Sequence, residues 1–138
     1  MSSRAPHLQR LAELLTTLPL HDFLKLQLVE EPLGLRLPAS PRLINGTGVV
    51  HGGILYSVLD VASFLALVVE RPAQNAVTVD FSASMLRPAA IDQDTLVHAR
   101  VLRAGKRLAH MDAEAWQAGQ LVAVARVTKA LINPPAAP

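Results

Sequence analysis

The chain of 138 residues contains no cysteine and carries 13 basic and 11 acidic side chains. Its length fits a single domain, residues 1–138, with its own hydrophobic core. The lack of cysteine excludes disulfides and thiolate zinc sites. The nearly balanced charge and the aromatic content of 4% argue against nucleic-acid binding, which relies on basic surfaces and stacking aromatic rings.

The N-terminal segment predicts a helix followed by short strands. Leucines recur at helical spacing over residues 6–18, and Pro19 ends this N-terminal helix, which occupies residues 1–19. Charges interrupt the apolar positions, which is unlike a secretory signal, and we expect a cytoplasmic protein. Alternating apolar residues then predict a strand over 21–31 and a partner strand over 34–38.

Residues 53–69 are predominantly apolar and predict one long buried helix, preceded by a loop over 38–48. The apolar stretch is also about the length of a membrane span. His51 and Asp60 oppose that alternative, because an aspartate in mid-span costs about 3 kcal/mol on insertion scales. We therefore expect a core helix without membrane association, and an aspartate that requires an explanation.

The second half of the chain predicts four strands, because the apolar period changes from 3.6 to 2. The strands are expected at 77–85, 95–103, 108–116 and 121–132, followed by a disordered tail at 133–138. Short turns between them predict an antiparallel meander. A sheet that is half-buried on one face needs a cover, and the long helix is the available one. The predicted fold class is therefore α+β, with an antiparallel sheet curled around one central helix.

One motif spans the end of the loop and the long helix. Its residues are Asn45, Gly48, His51, Gly52, Gly53 and, nine positions after the histidine, Asp60. The motif resembles the acyl-CoA thioesterases of the hotdog fold, in particular the phenylacetate-pathway and 4-hydroxybenzoyl-CoA thioesterase branch. The resemblance covers about residues 20–132. It implies hydrolysis of an acyl-CoA thioester to a carboxylate and coenzyme A, without a metal or another cofactor.

The motif residues suit that chemistry. The first N–H groups of a helix lack intrahelical partners, so the Gly52 N–H can polarise a thioester carbonyl. Glycines at 52 and 53 also let a substrate approach the backbone closely, although Gly53 is equally explained by tight packing. Asp60 can act as a nucleophile or as a general base for water. The structural alternative is that Asp60 bonds to Ser57, Ser63 or a backbone group.

The spacing along the helix predicts an active site made by two chains. Asp60 lies eight residues beyond Gly52, which is about 12 Å along a helix. One thioester carbon cannot contact both groups of one chain. If both act, they come from different subunits, with the acyl group in an apolar pocket beside the helix. The resemblance likewise implies a homodimer with joined sheets, and commonly a dimer of dimers, a homotetramer.

Three further residues are candidates from the resemblance. It implies that Asn45 and His51 shape the site and that Thr78 matches a hydroxyl residue that assists water or substrate. Ser63 is a second candidate for the hydroxyl role. The alternatives are a turn-forming asparagine, a histidine that holds the loop through a backbone carbonyl, and an ordinary strand threonine.

Binding of the phosphates of coenzyme A requires cations. Arg87, Arg103, Lys106 and Arg107 are predicted to cluster around two strand ends, where the alternative is a solvated surface. The histidines show no ligand spacing, so we expect no metal site. Two other functions stay open: another acyl-thioester enzyme, such as a hydratase or dehydratase, and a non-catalytic module that binds acyl-CoA.

Overall fold

The computed structural model describes residues 6–132. The predicted tail at 133–138 lies outside this part of the chain. In chain order, the helices and strands are α1 (Pro6–Thr17), α2 (Pro19–Leu24), β1 (Gln27–Glu30), β2 (Leu33–Leu37), α3 (Gly52–Glu70), β3 (Asn75–Met85), β4 (Thr95–Ala104), β5 (Leu108–Gln117) and β6 (Gln120–Ile132). A single 3-10 turn at Pro41–Leu43 interrupts the loop before α3.

The six strands form one antiparallel sheet in the order β1-β2-β4-β5-β6-β3, and α3 packs against one face of it. Inward positions of β5 and β6 are occupied by buried alanines, which leave room for the helix: Ala113, Ala115, Ala123 and Ala125. The buried face of α3 includes Leu55, Leu59 and Leu65. The predicted α+β architecture, a sheet around one long helix, is confirmed.

Helix α3 is long and apolar enough, by length and composition, to cross a membrane. In this structure it is a core helix. Its apolar side chains pack against the sheet, and the aspartate at its middle lies on a side that faces β3 and β6.

The predicted four-stranded meander is wrong in one respect. Strands β4, β5 and β6 follow one another through turns of three and two residues, but β3 pairs with β6 rather than with β4. The connection from β3 to β4, residues 86–94, is too long for a tight hairpin. It crosses to the other side of the β4–β6 unit, where backbone groups of Ala89 and Ile91 bond to the loop before α3.

The strand predicted at 21–31 is also wrong over its first part. Residues 19–24 form α2, with Pro19 at the first helical position, where its missing N–H costs no hydrogen bond. Lys25 follows in the left-handed conformation (φ 58°) and ends the helix. Only residues 27–30 form β1.

A β-bulge in β3 changes which residues face the helix. The register with β6 shifts between Thr78 and Asp80, so the extra residue Val79 separates two runs of alternation. Thr78 and Phe81 consequently both point towards α3. Simple alternation along the strand expected at 77–85 would put them on opposite faces, so the bulge is what brings both to the helix.

Candidate active site

Asp60 lies at the middle of α3 and is held by two donors from the sheet. Its Oδ1 accepts a hydrogen bond from Thr78 Oγ1 at 2.6 Å and another from Lys129 Nζ at 3.0 Å. The Asp60 side chain is 38% exposed, and its Oδ2 makes no hydrogen bond to a described residue. The carboxylate is therefore anchored through one oxygen and open at the other.

The predicted structural partners of Asp60 do not contact it. The hydroxyl of Ser57 donates to the Gly53 carbonyl, and that of Ser63 donates to the Leu59 carbonyl within the same helix. Ser63 is fully buried on the core face. Its predicted role in substrate binding has no support in the geometry of this chain.

Lys129 is the site residue that the sequence analysis missed. Its Nζ donates to Thr78 Oγ1 at 2.7 Å as well as to Asp60, while its side chain is only 4% exposed. A signal was present in the sequence, because strand alternation puts Lys129 on the same face as Val127 and Leu131, which pack in the core. A lysine at an inward position needs a buried partner, and the aspartate in the apolar helix supplies one.

A cavity of about 310 Å³ opens beside the carboxylate. Its walls are mostly apolar and comprise His21, Val61, Phe64, Ala76 and Val77 together with Asp60, Thr78 and Lys129. The ring of Phe64 lies 5.9 Å from the ammonium of Lys129, and this shields the ion pair on one side. An apolar cavity with a few convergent polar groups has the character of a small-molecule site.

A larger cavity of about 1010 Å³ lies away from Asp60. Its lining includes Asp112, whose carboxylate pairs with Arg100 and Arg126 on the exposed side of the sheet. Exposed ion pairs of this kind are common on protein surfaces and contribute little to stability. The smaller cavity is therefore the better candidate for chemistry.

Asn45 organises its own loop. Its Oδ1 accepts hydrogen bonds from the N–H and hydroxyl of Thr47 and from the N–H of Val49, at 2.9, 3.0 and 3.1 Å. This is the turn-forming role that was left open as the alternative. A catalytic role of Asn45 stays a prediction.

His51 caps α3. Its Nδ1 accepts the Gly53 N–H at 2.9 Å, instead of the ring holding the loop through a backbone carbonyl, which was the alternative left open. Since an N–H must donate to Nδ1, the neutral ring carries its proton on Nε2. A Cβ at Gly53 would lie 3.1 Å from this Nδ1, so the second glycine permits the cap. His51 thus shapes the start of the helix.

The backbone N–H of Gly52 differs from that of Gly53. Within residues 6–132 it makes no hydrogen bond, and a Cβ at Gly52 would meet only the ring of Tyr56, at 4.0 Å. The group is therefore available to an anion at the helix N-terminus. It lies eight residues before Asp60 on the same helix, so one chain does not bring the two together.

The four basic residues predicted to bind phosphates do not form one cluster in this chain. Arg87 bonds to Gln120 at the start of β6, whereas the carbonyl of Arg107 accepts from Leu131 near its end. Eleven residues of strand separate these points by about 36 Å. Arg103, Lys106 and Arg107 lie around the β4–β5 turn, and their contacts with a nucleotide stay predictions.

No group of three or more histidine, aspartate or glutamate side chains in the described part of the chain could hold a metal ion. The polar groups at the cavity are one carboxylate, one ammonium and one hydroxyl, with His21 at its wall. The His21 ring bonds through Nδ1 to the Leu14 carbonyl at 2.9 Å, so this nitrogen is the donor.

Comparison with known proteins gives a family match. A family model described as the thioesterase superfamily matches residues 47–129. Acyl-coenzyme A thioesterase 13 of human and of orangutan is 34% identical to this chain over 91 residues, which cover 64% of this chain and 65% of each relative. The chain thus matches slightly less than two thirds of the length of these relatives.

Solved structures share the fold. Thioesterase superfamily member 2 of mouse superposes with a TM-score of 0.78 at 28% identity, over 94% of this chain and 98% of the mouse chain. The E. coli PaaI protein, from the phenylacetic acid degradation operon, superposes with a TM-score of 0.81 at 20% identity, over 93% and 94% of the two chains. Both likenesses extend over nearly the whole of the described fold.

Proposed function

Because the chain belongs to the thioesterase superfamily, we propose that it is an acyl-CoA thioesterase, which hydrolyses an acyl-CoA to a carboxylate and free coenzyme A. One observation supports this most directly: the Asp60 carboxylate is anchored through Oδ1 and presents Oδ2 beside an apolar cavity. The names of the relatives, acyl-coenzyme A thioesterase 13, point to the same substrate class.

In the proposed reaction, Asp60 activates the attack on the thioester carbon. As general base, Oδ2 takes a proton from water while the water oxygen bonds to the carbonyl carbon. The carbonyl electron pair becomes an oxyanion, which then re-forms the carbonyl as the C–S bond breaks, and the thiolate leaves and takes up a proton. As nucleophile, Asp60 would instead form an anhydride that water hydrolyses. Both routes use protein groups and water.

Thr78 has a limited part in this scheme. Its hydroxyl proton is committed to Asp60 Oδ1, and its oxygen accepts from Lys129. The hydroxyl therefore has no proton to donate to the substrate, but one lone pair remains to accept a hydrogen bond from the attacking water.

The oxyanion requires a donor, and we assign that role to the Gly52 N–H of the partner subunit. The N–H is free within the described chain, and about 12 Å of helix separates it from the Asp60 of its own chain. The edge of the sheet at β3 supplies a surface for pairing, since no strand among residues 6–132 pairs with its far side. Val77 and Val79 on β3 are 50% and 56% exposed. A two-fold pairing of β3 edges would cover them.

The acyl-CoA substrate would lie with its acyl group in the 310 Å³ cavity. Arg103, Lys106 and Arg107 are candidates for its phosphates, while Arg87 would have to act at another site or from another subunit. Whether dimers pair further into a tetramer is a separate prediction, to be tested by light scattering.

The proposed function is tested by thiol release from a panel of acyl-CoAs, from short to long and from aliphatic to aryl. A thiol reagent sees no background from a chain without cysteine. We expect release by wild type and a loss of at least about 100-fold in Asp60→Asn, the magnitude of a removed general base. Asp92→Asn, an exposed carboxylate away from the cavity, is the matched control.

The alternative function, a non-catalytic acyl-CoA-binding module, gives the opposite result. Wild type would then retain intact acyl-CoA in equilibrium dialysis and release no thiol from any member of the panel. Release that is equal in wild type and Asp60→Asn would instead keep a thioesterase and remove Asp60 from its mechanism.

A further inference from the structure

Lys129 and Asp60 form an ion pair in which the ammonium is buried and the carboxylate is partly exposed; its role, as inferred here, rests on the proposed function. We propose that Lys129 is a positioning residue: its ammonium fixes the Asp60 carboxylate through Oδ1, so that Oδ2 is the oxygen that acts on water or substrate. Lys129 lines the cavity, but its side chain is only 4% exposed and its ammonium donates to Asp60 and Thr78, so in this role it acts through the carboxylate rather than on the substrate.

The directions of the hydrogen bonds follow from the chemistry of the three groups. An ammonium only donates, so Thr78 Oγ1 must accept the bond from Lys129 Nζ. The single hydroxyl proton of Thr78 then goes to Asp60 Oδ1. Lys129 also donates to that oxygen directly. Both donors thus converge on Oδ1, one of them being oriented by the other, and the carboxylate is left with one orientation and one open oxygen.

Because Lys129 is buried, stabilisation of the fold is a weak explanation for its pairing with Asp60. Taking an ammonium out of water is costly, and apolar replacements of buried ion pairs are often neutral or stabilising. The stem of Lys129 occupies an inward strand position beside Phe64, where methionine would fit with similar length. A charge at this position is therefore explained better by the orientation of the carboxylate than by the stability of the fold.

The expected kinetic signature is a loss of kcat without a loss of substrate binding. Removal of a group that orients a reacting residue typically lowers activity by about 10- to 100-fold. We expect this fall in kcat for Lys129→Met, with KM changed by less than about twofold, because the apolar side chains that line the cavity remain and methionine is itself apolar. Lys25→Met, an exposed lysine paired with Asp22 on α2, is the matched control and should behave as wild type.

Thr78 provides a second test, because it belongs to the same three-residue unit. If Lys129 and Thr78 act on one oxygen, Lys129→Met should lower kcat much less in a Thr78→Val background than in wild type. Equal losses in the two backgrounds would mean that Lys129 acts independently of the carboxylate orientation, and would overturn the proposal.

A crystal structure of Lys129→Met tests the positioning without any turnover. We expect the Asp60 carboxylate to rotate or to occupy more than one orientation, in an otherwise unchanged fold. An unchanged single orientation would contradict the proposal, as would a kcat equal to that of wild type in an active enzyme. If wild type releases no thiol but the carboxylate reorients in the variant, the thioesterase function fails and the positioning role of Lys129 stands.

Discussion

The first turn of α3 and its middle turn both contain candidate site residues, but different kinds of contact hold them in place. At the first turn the functional group is a backbone N–H, and the contacts that shape it are local: His51 caps Gly53 two residues away, and Asn45 bonds within its own loop. At the middle turn the functional group is a side chain. Its partners, Thr78 and Lys129, are 18 and 69 positions distant.

Because of this difference, the two regions should tolerate different substitutions. A backbone donor survives any side-chain change that preserves the helix start, because it has no side chain to lose. A carboxylate held by distant strands depends on the register of β3 and β6, including the bulge that turns Thr78 towards the helix. Activity should thus fall when the first turn loses one N–H, and when the middle turn loses one charged side chain.

The largest expected effect after that of Asp60 is the loss of the donor at Gly52. Gly52 is the first residue of α3, where proline is tolerated, and His51 before it is extended (ψ 131°), as a residue preceding proline should be. We expect Gly52→Pro to fold and to lose about 100- to 1000-fold in kcat, the range for one oxyanion donor.

Gly52→Ala keeps the N–H, and its Cβ would find ordinary contact with Tyr56, so it serves as the matched variant and should retain much more turnover than Gly52→Pro. Steady-state thiol release measures both variants. Equal activity of the proline and alanine variants would show that the first turn of α3 takes no part in the reaction.

Mixing two inactive variants asks whether the two regions of one chain ever serve the same site. If each site combines the first turn of one subunit with the middle turn of another, hybrids of Gly52→Pro and Asp60→Asn contain one intact site per dimer. Random reassociation of equal amounts then restores about a quarter of wild-type activity. Refolding the mixed chains together, with each variant refolded separately as the control, gives the measurement. No recovery in proven hybrids would place both groups in one chain.

The two regions also differ in how far the sequence could predict them. The loop and first turn form a continuous motif, so His51 and Gly52 could be singled out directly, and the fixed spacing of the motif extended to Asp60 in the middle turn but not to its partners. The predicted hotdog fold and thioesterase family are confirmed. Lys129 was missed because its role depends on a contact across 69 positions. It could have been found by asking which strand positions face inward and which of them carries a charge.

The errors in the fold prediction also come from features that local hydrophobic periodicity does not encode. The periodicity located the four later strands, but it carries no information about which strands pair, so β3 was placed beside β4 instead of β6. The bulge at Val79 adds one residue to the alternation, so periodicity alone would not put Thr78 and Phe81 on the same face. At residues 21–24 local alternation favoured a strand, but Pro19 at the first helical position started a helix that runs to Leu24.

The smallest expected effects concern stability, and here the two regions can be compared by the free energy of unfolding of their variants. Asp60→Ala leaves the buried ammonium of Lys129 without its carboxylate, and we expect the free energy of unfolding to fall by about 1–3 kcal/mol. The double variant Asp60→Ala/Lys129→Met removes the unpaired charge and should recover most of that loss.

His51→Ala removes only a helix cap and should cost about 1 kcal/mol, which His51→Asn restores, since asparagine also caps. Urea denaturation at one fixed protomer concentration measures all four variants, because subunit association would otherwise shift the apparent stability. A double variant no more stable than Asp60→Ala would mean that the ammonium of Lys129 is not held by charge pairing, and the contrast between a locally capped first turn and a charge-paired middle turn would not hold.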